Sequence, residues 1–153
     1  MNYWDLKHKF DDCYFEAVNC AVKTYCYLKS IFRKNVLQKN SEFKNFHSGK
    51  RAFFIGNAPS LNSQNIIPLK DEITFSVNRG FLHPDYSKIK PKYHIIIDGK
   101  FITGEWDYNF LEKAKKLNPN VTFFLNSKWS NNKKLKQYLE DNEFKIYWVD
   151  LRL

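Results

Sequence analysis

Five short apolar runs, at residues 52–55, 73–77, 93–97, 121–125 and 145–149, alternate with stretches of helical or turn character. Runs in which consecutive positions are aromatic or β-branched need cover on both faces. That is the pattern of strands in a parallel sheet, not of hairpins with one wet face. Parallel strands are joined by crossovers, so the intervening segments should carry the helices. Two are expected, over 108–117 with Asp107 as its cap and over 131–142 with Ser130 as its cap. The chain of 153 residues is 43% hydrophobic and 18% aromatic, which is enough to fill one such core. The fold class read from the pattern is α/β, a Rossmann-like, mostly parallel sheet with helices on both faces.

A different periodicity precedes the sheet. Tyr3, Leu6, Phe10, Tyr14, Ala17, Ala21, Tyr25, Leu28 and Phe32 recur at steps of three or four, the mark of a long amphipathic helix over residues 3–33. The domain reading is therefore a basic amphipathic helix at 1–38, a polar linker at 39–50 and the sheet domain at 51–153. The second half of the helix and the linker carry Lys23, Lys29, Arg33, Lys34, Lys39, Lys44 and Lys50 against Glu42, in a chain of net charge +9. Three covers for the apolar stripe stay open: the chain's own domain, a second copy in a homo-oligomer, or an anionic membrane surface met by residues 3–34. The apolar runs are too short to span a bilayer and the amino terminus lacks a secretory pattern, so the expected location is the cytoplasm, peripheral to the inner face of the membrane if the helix meets lipid.

Cys13, Cys20 and Cys26 fall in the helix without a Cys-x-x-Cys pair and are expected to be reduced, buried thiols. His8, His47, His83 and His94 are scattered, so no metal site is expected, and His94 reads as a strand-face residue. Basicity without a helix-turn-helix, zinc-finger or RNA-binding signature argues against a specific nucleic-acid partner.

The stretch Arg51-Ala52-Phe53-Phe54-Ile55-Gly56-Asn57-Ala58-Pro59-Ser60-Leu61 runs from a strand into a turn. Gly56 suits a backbone geometry closed to other residues, and Ser60 suits the cap of a helix opened after Pro59. Free N–H groups and a helix dipole at such a turn would favour an anionic ligand. The loop has neither the three-glycine dinucleotide fingerprint nor a Gly-Lys-Ser/Thr ending, which disfavours the usual NAD and ATP sites. Asn57, Asn78 and Asp98 fall at the carboxyl ends of the first three strands, which share one edge of a parallel sheet. They read either as turn residues or as polar groups converging on one crevice.

Gly56-Asn57-Ala58-Pro59-Ser60-Leu61, then Asn78, then Asp98 resemble in order and spacing the motifs of the bacterial sialyltransferase-like glycosyltransferases. The resemblance covers about residues 48–150. It implies a pocket for a nucleotide sugar of CMP type, formed by Gly56, Asn57, Ala58, Ser60, Asn78 and Asp98, with no tightly bound cofactor, in surface-polysaccharide synthesis on a glycan acceptor. Ala58 stands where that family has a second Gly, adding a methyl group at the loop. The family takes its base and phosphate-neutralising groups from a later part of its domain, so the chain is expected to lack that C-terminal part and to be inactive alone. Asp98 is then the one catalytic candidate. The same segment is also similar to the hydroxymethylpterin pyrophosphokinase-like proteins, with a Gly-Pro-Ser-Leu type loop, a Val-Asn-Arg strand end and a Pro-x-Tyr strand ending in Asp. A non-catalytic interaction protein, or one subunit of a split enzyme, is the third reading.

Overall fold

A computed structural model describes residues 3–32 and 34–150. In chain order these form helices α1 (Tyr3–Phe32) and α2 (Lys34–Leu37), strand β1 (Ala52–Ile55), β2 (Ile73–Val77), helix α3 (Tyr86–Ile89), β3 (Tyr93–Ile96), α4 (Lys100–Thr103), α5 (Asn109–Leu117), β4 (Thr122–Asn126), α6 (Lys133–Asp141) and β5 (Ile146–Val149), with short 3-10 helices between them. Contacts divide the chain into two compact units, α1 and a sheet unit of described residues 36–150.

Within the sheet unit all neighbouring strands pair in parallel, in the spatial order β1-β2-β3-β4-β5. Each strand therefore joins its immediate neighbour in one direction, and right-handed crossovers then fall on one face. The packing agrees. Ile96, Phe123 and Leu125 point to the face where Phe101, Phe110, Leu111 and Leu135 from the crossovers close a core. Register places Ile73, Tyr93, Phe124 and Tyr147 on the opposite face. There the cover is a 3-10 helix, Gln38–Phe43, whose Phe43 ring lies 4.6 Å from Tyr147 and 5.3 Å from Phe124. Helical segments thus lie on both faces, the longer ones on one.

Residues 39–50, expected as a linker, are therefore largely part of this layer. Asn40 Nδ2 donates to the Trp148 carbonyl at 2.7 Å and Tyr147 Oη to Glu42 at 2.6 Å. Polar composition hid this, because the segment docks through Phe43 and side-chain hydrogen bonds instead of a periodic stripe. Aromatic rings continue the face outward: Phe54, Phe75 and Tyr93 stack at 4.5 and 4.7 Å, and Phe54 remains 68% exposed.

Two expected caps shift. Tyr108 stands at the cap position of α5 without a side-chain bond, and Asp107, one residue earlier, accepts the Asn109 N–H on Oδ1 at 3.1 Å. At α6 it is Asn132 that accepts from Leu135 N–H, at 2.9 Å, while Ser130 closes the preceding 3-10 turn.

Helix α1 forms as expected, with Phe10, Tyr14, Val18, Val22 and Tyr25 exposed along it. Cys13 and Cys20 are free and exposed, not buried, since a single helix has no second layer of its own to cover them; the Cys26 side chain lies outside the described residues. Among the described residues no helix is long and apolar enough to cross a membrane, and no group of His, Cys, Asp and Glu is placed to hold a metal.

Candidate functional site at the carboxyl edge of the sheet

The turn after β1 and the turn after β2 face each other across a cleft of about 400 Å³ lined by Asn57, Ala58, Asn62, Arg79, Gly80 and His83, among others. Adjacent parallel strands bring these turns together, since their carboxyl ends lie on one edge. After β2 the chain folds at once into a 3-10 helix, Asn78–Leu82, with Asn78 in the left-handed region at φ 49°. Asparagine tolerates that conformation better than most residues. Gly80 suits the turn for a different reason. A Cβ there would fall well inside contact distance of Ser76 Oγ, so a side chain at this position would force the buried Ser76 hydroxyl to turn away or the turn to shift.

Asn78 is the link between the second and third strand ends. Its Oδ1 accepts the N–H groups of Ile97 at 3.0 Å and Asp98 at 3.2 Å. Its carbonyl accepts from His94 Nε2 at 2.7 Å, and His94 Nδ1 lies 2.9 Å from Tyr86 Oη. His94 is fully buried, and burial lowers its pKa to about 4 against the raising effect of the Asn78 hydrogen bond. The ring is therefore neutral near pH 7, protonated on Nε2, with Nδ1 accepting from the Tyr86 hydroxyl. Burial in turn pushes the Tyr86 hydroxyl well above its usual range. His94 is a strand-face residue, as expected, and its chemistry is to brace the Asn78 turn.

The expected site residues do not all meet. Asn57 and Ala58 line the cleft with Arg79. Gly56 and Ser60 line a neighbouring depression on the other side of the loop, with Phe54 and Ile55. Asn78 lines neither cleft, and its amide oxygen is committed to the β3 end. Asp98 lines neither cleft; its Oδ1 accepts the Lys100 N–H at 3.0 Å.

Two local expectations are corrected. The loop opens a five-residue 3-10 helix, Pro59–Ser63, preceded by Ala58 with no side-chain cap, so Ser60 does not cap a helix and no long helix dipole points at the cleft. Gly56 has no positive φ, and a Cβ there would meet nothing within 4 Å. Pro59 fixes the turn instead, starting the short helix from the φ it imposes.

Sequence reasoning missed Arg79 and His83. Arg79 is exposed at the cleft, a cation opposite Asn57. His83 accepts the Asp85 N–H on Nδ1 at 3.1 Å, so in the neutral ring Nε2 carries the proton, and that buried N–H has no partner among the described residues. The signal for Arg79 was its place directly after Asn78. For His83 there was none, because a 3-10 turn of five residues leaves no periodic trace.

No protein-family model, no curated protein and no solved structure matches the chain.

Proposed function

We propose that the chain is a nucleotide-sugar-binding protein, similar to the sialyltransferase-like glycosyltransferases, serving surface-polysaccharide synthesis in a bacterium. The observation that carries the reading is the single cleft shared by the Asn57 loop and the Arg79 turn at the carboxyl edge of a parallel sheet. Open parallel sheets bind ligands outside this edge. Arg79 offers a planar, permanently charged fork suited to a phosphate, and the Asn57 amide and the orphan His83 N–H offer hydrogen bonds to base, ribose or phosphate. In this reading the ligand is a CMP-type nucleotide sugar, the acceptor is a glycan, and the protein works at the cytoplasmic face of the membrane. The one carboxylate expected to be catalytic, Asp98, has an oxygen occupied by the α4 turn, which favours a binding role over transfer by this chain alone.

Calorimetric titration of CMP, CDP, GTP and NAD tests the reading. Cytidine nucleotides should bind, and Asn57→Ala and Arg79→Ala should each weaken binding by about 1–3 kcal/mol. Absence of any nucleotide binding at millimolar concentration refutes the site. Preference for ATP together with a pterin selects the pyrophosphokinase-like reading.

A further inference from the structure

Beyond Arg79, a second cavity of about 370 Å³ opens beside the start of α5. Arg79 and Leu82 line both clefts, so a ligand with a phosphate at Arg79 has space on either side of it. We propose that the second cavity is a subsite for an uncharged glycosyl group, an inference that rests on the nucleotide reading only for what the sugar is joined to.

Three features of the lining converge on that ligand. The first is an aromatic plate. Trp106 lies flat against Phe110, ring centroids 5.1 Å apart and planes 7° from parallel, in a turn closed by the Trp106 N–H to Lys100 carbonyl bond at 2.9 Å. The indole is thus fixed before a ligand arrives, and the negative face of an aromatic ring suits the C–H face of a pyranose.

The second is charge. Glu105 and Asp107 stand against Arg79 and Lys113, giving a polar lining of both signs without a net excess. An anionic sugar gains nothing overall from such a set.

The third is an acceptor without a donor. Asn109 Oδ1 is buried and has no hydrogen-bond partner among the described residues. Its orientation is held from the other end, because the amide NH₂ donates to Asp107 Oδ2 and the Asn109 backbone N–H donates to Asp107 Oδ1. A phosphate or carboxylate has no hydrogen to give this oxygen, whereas a sugar hydroxyl has. The cavity volume falls within the span of small-molecule sites. A sialic acid fits worse than a neutral hexose. Its carboxylate would lie beside Glu105 and Asp107 and compete with the phosphate for Arg79.

The test uses the full chain, labelled with nitrogen-15, and follows the Trp106 indole N–H signal, assigned by its disappearance in Trp106→Phe. N-acetylglucosamine, glucose, galactose, N-acetylneuraminic acid and CMP are titrated separately. N-acetylglucosamine should move the signal saturably in the millimolar range, and N-acetylneuraminic acid should not. If N-acetylglucosamine, glucose and galactose all leave the signal in place, or if N-acetylneuraminic acid moves it as strongly, the subsite as proposed is wrong. CMP binding without a sugar response overturns the subsite and leaves the nucleotide reading standing. A sugar response without CMP binding keeps the subsite and removes the nucleotide reading.

Discussion

Acid should loosen this fold through one residue, His94. The ring is fully buried between Tyr86 and the Asn78 carbonyl, and its pKa falls from 6.5 to about 4 because burial penalises the charged form. Its folded pKa lies below the unfolded one, so between these values the unfolded chain binds the extra proton. The stabilisation from keeping His94 neutral is therefore fully present above about pH 6.5 and is lost as pH falls toward 4. A depression of that size corresponds to roughly 3 kcal/mol, lost at up to about 1.4 kcal/mol per pH unit. The comparison is His94→Gln, whose amide can donate to the Asn78 carbonyl and accept from Tyr86 but does not titrate. Urea unfolding of both proteins, followed by circular dichroism from about pH 7 to about pH 4.5, isolates the residue, since other titrating groups are shared. The stability of wild type relative to the variant should decline through this window. Parallel pH profiles for the two proteins would refute the argument and mean that His94 is not held neutral by its surroundings.

The close approach of the Asn78–Leu82 turn to β2 makes Gly80→Ala destabilising by about 1–3 kcal/mol, read as a lower Tm, and the double variant with Ser76→Ala should recover most of the loss, because Ser76 Oγ is the atom in the way. Full stability in Gly80→Ala alone would show that the Ser76 hydroxyl or the turn moves aside without cost. If residues 3–34 meet an anionic membrane, the chain should cosediment with phosphatidylglycerol vesicles at low salt and be released as salt rises, since each basic residue near the surface contributes about 1 kcal/mol that is screened. No cosedimentation at low salt would reject the membrane role.

The sequence by itself determined the five strands, within about one residue at each end, because runs such as Ile73–Val77 and Tyr93–Ile96 carry their own signal in β-branched and aromatic content. It determined α1 and α5 as well, through side chains that recur at helical spacing. It also placed Asn57, Asn78 and Asp98 at strand ends. Only the tertiary structure decided which of these share a cleft. Whether Asn78 offers an oxygen to a ligand depends on whether the β3 backbone takes it first, and that is settled by strand register, which no local pattern encodes. The same holds for Phe43, an aromatic in a polar stretch until the sheet face gives it a place, and for Arg79 and Trp106, which lie 27 positions apart and meet at one site because β2 and β3 are neighbours in the sheet. Periodicity reports how a segment partitions between core and water. Convergence of side chains from different segments is a property of the folded chain, and the cleft at this edge is made by the second.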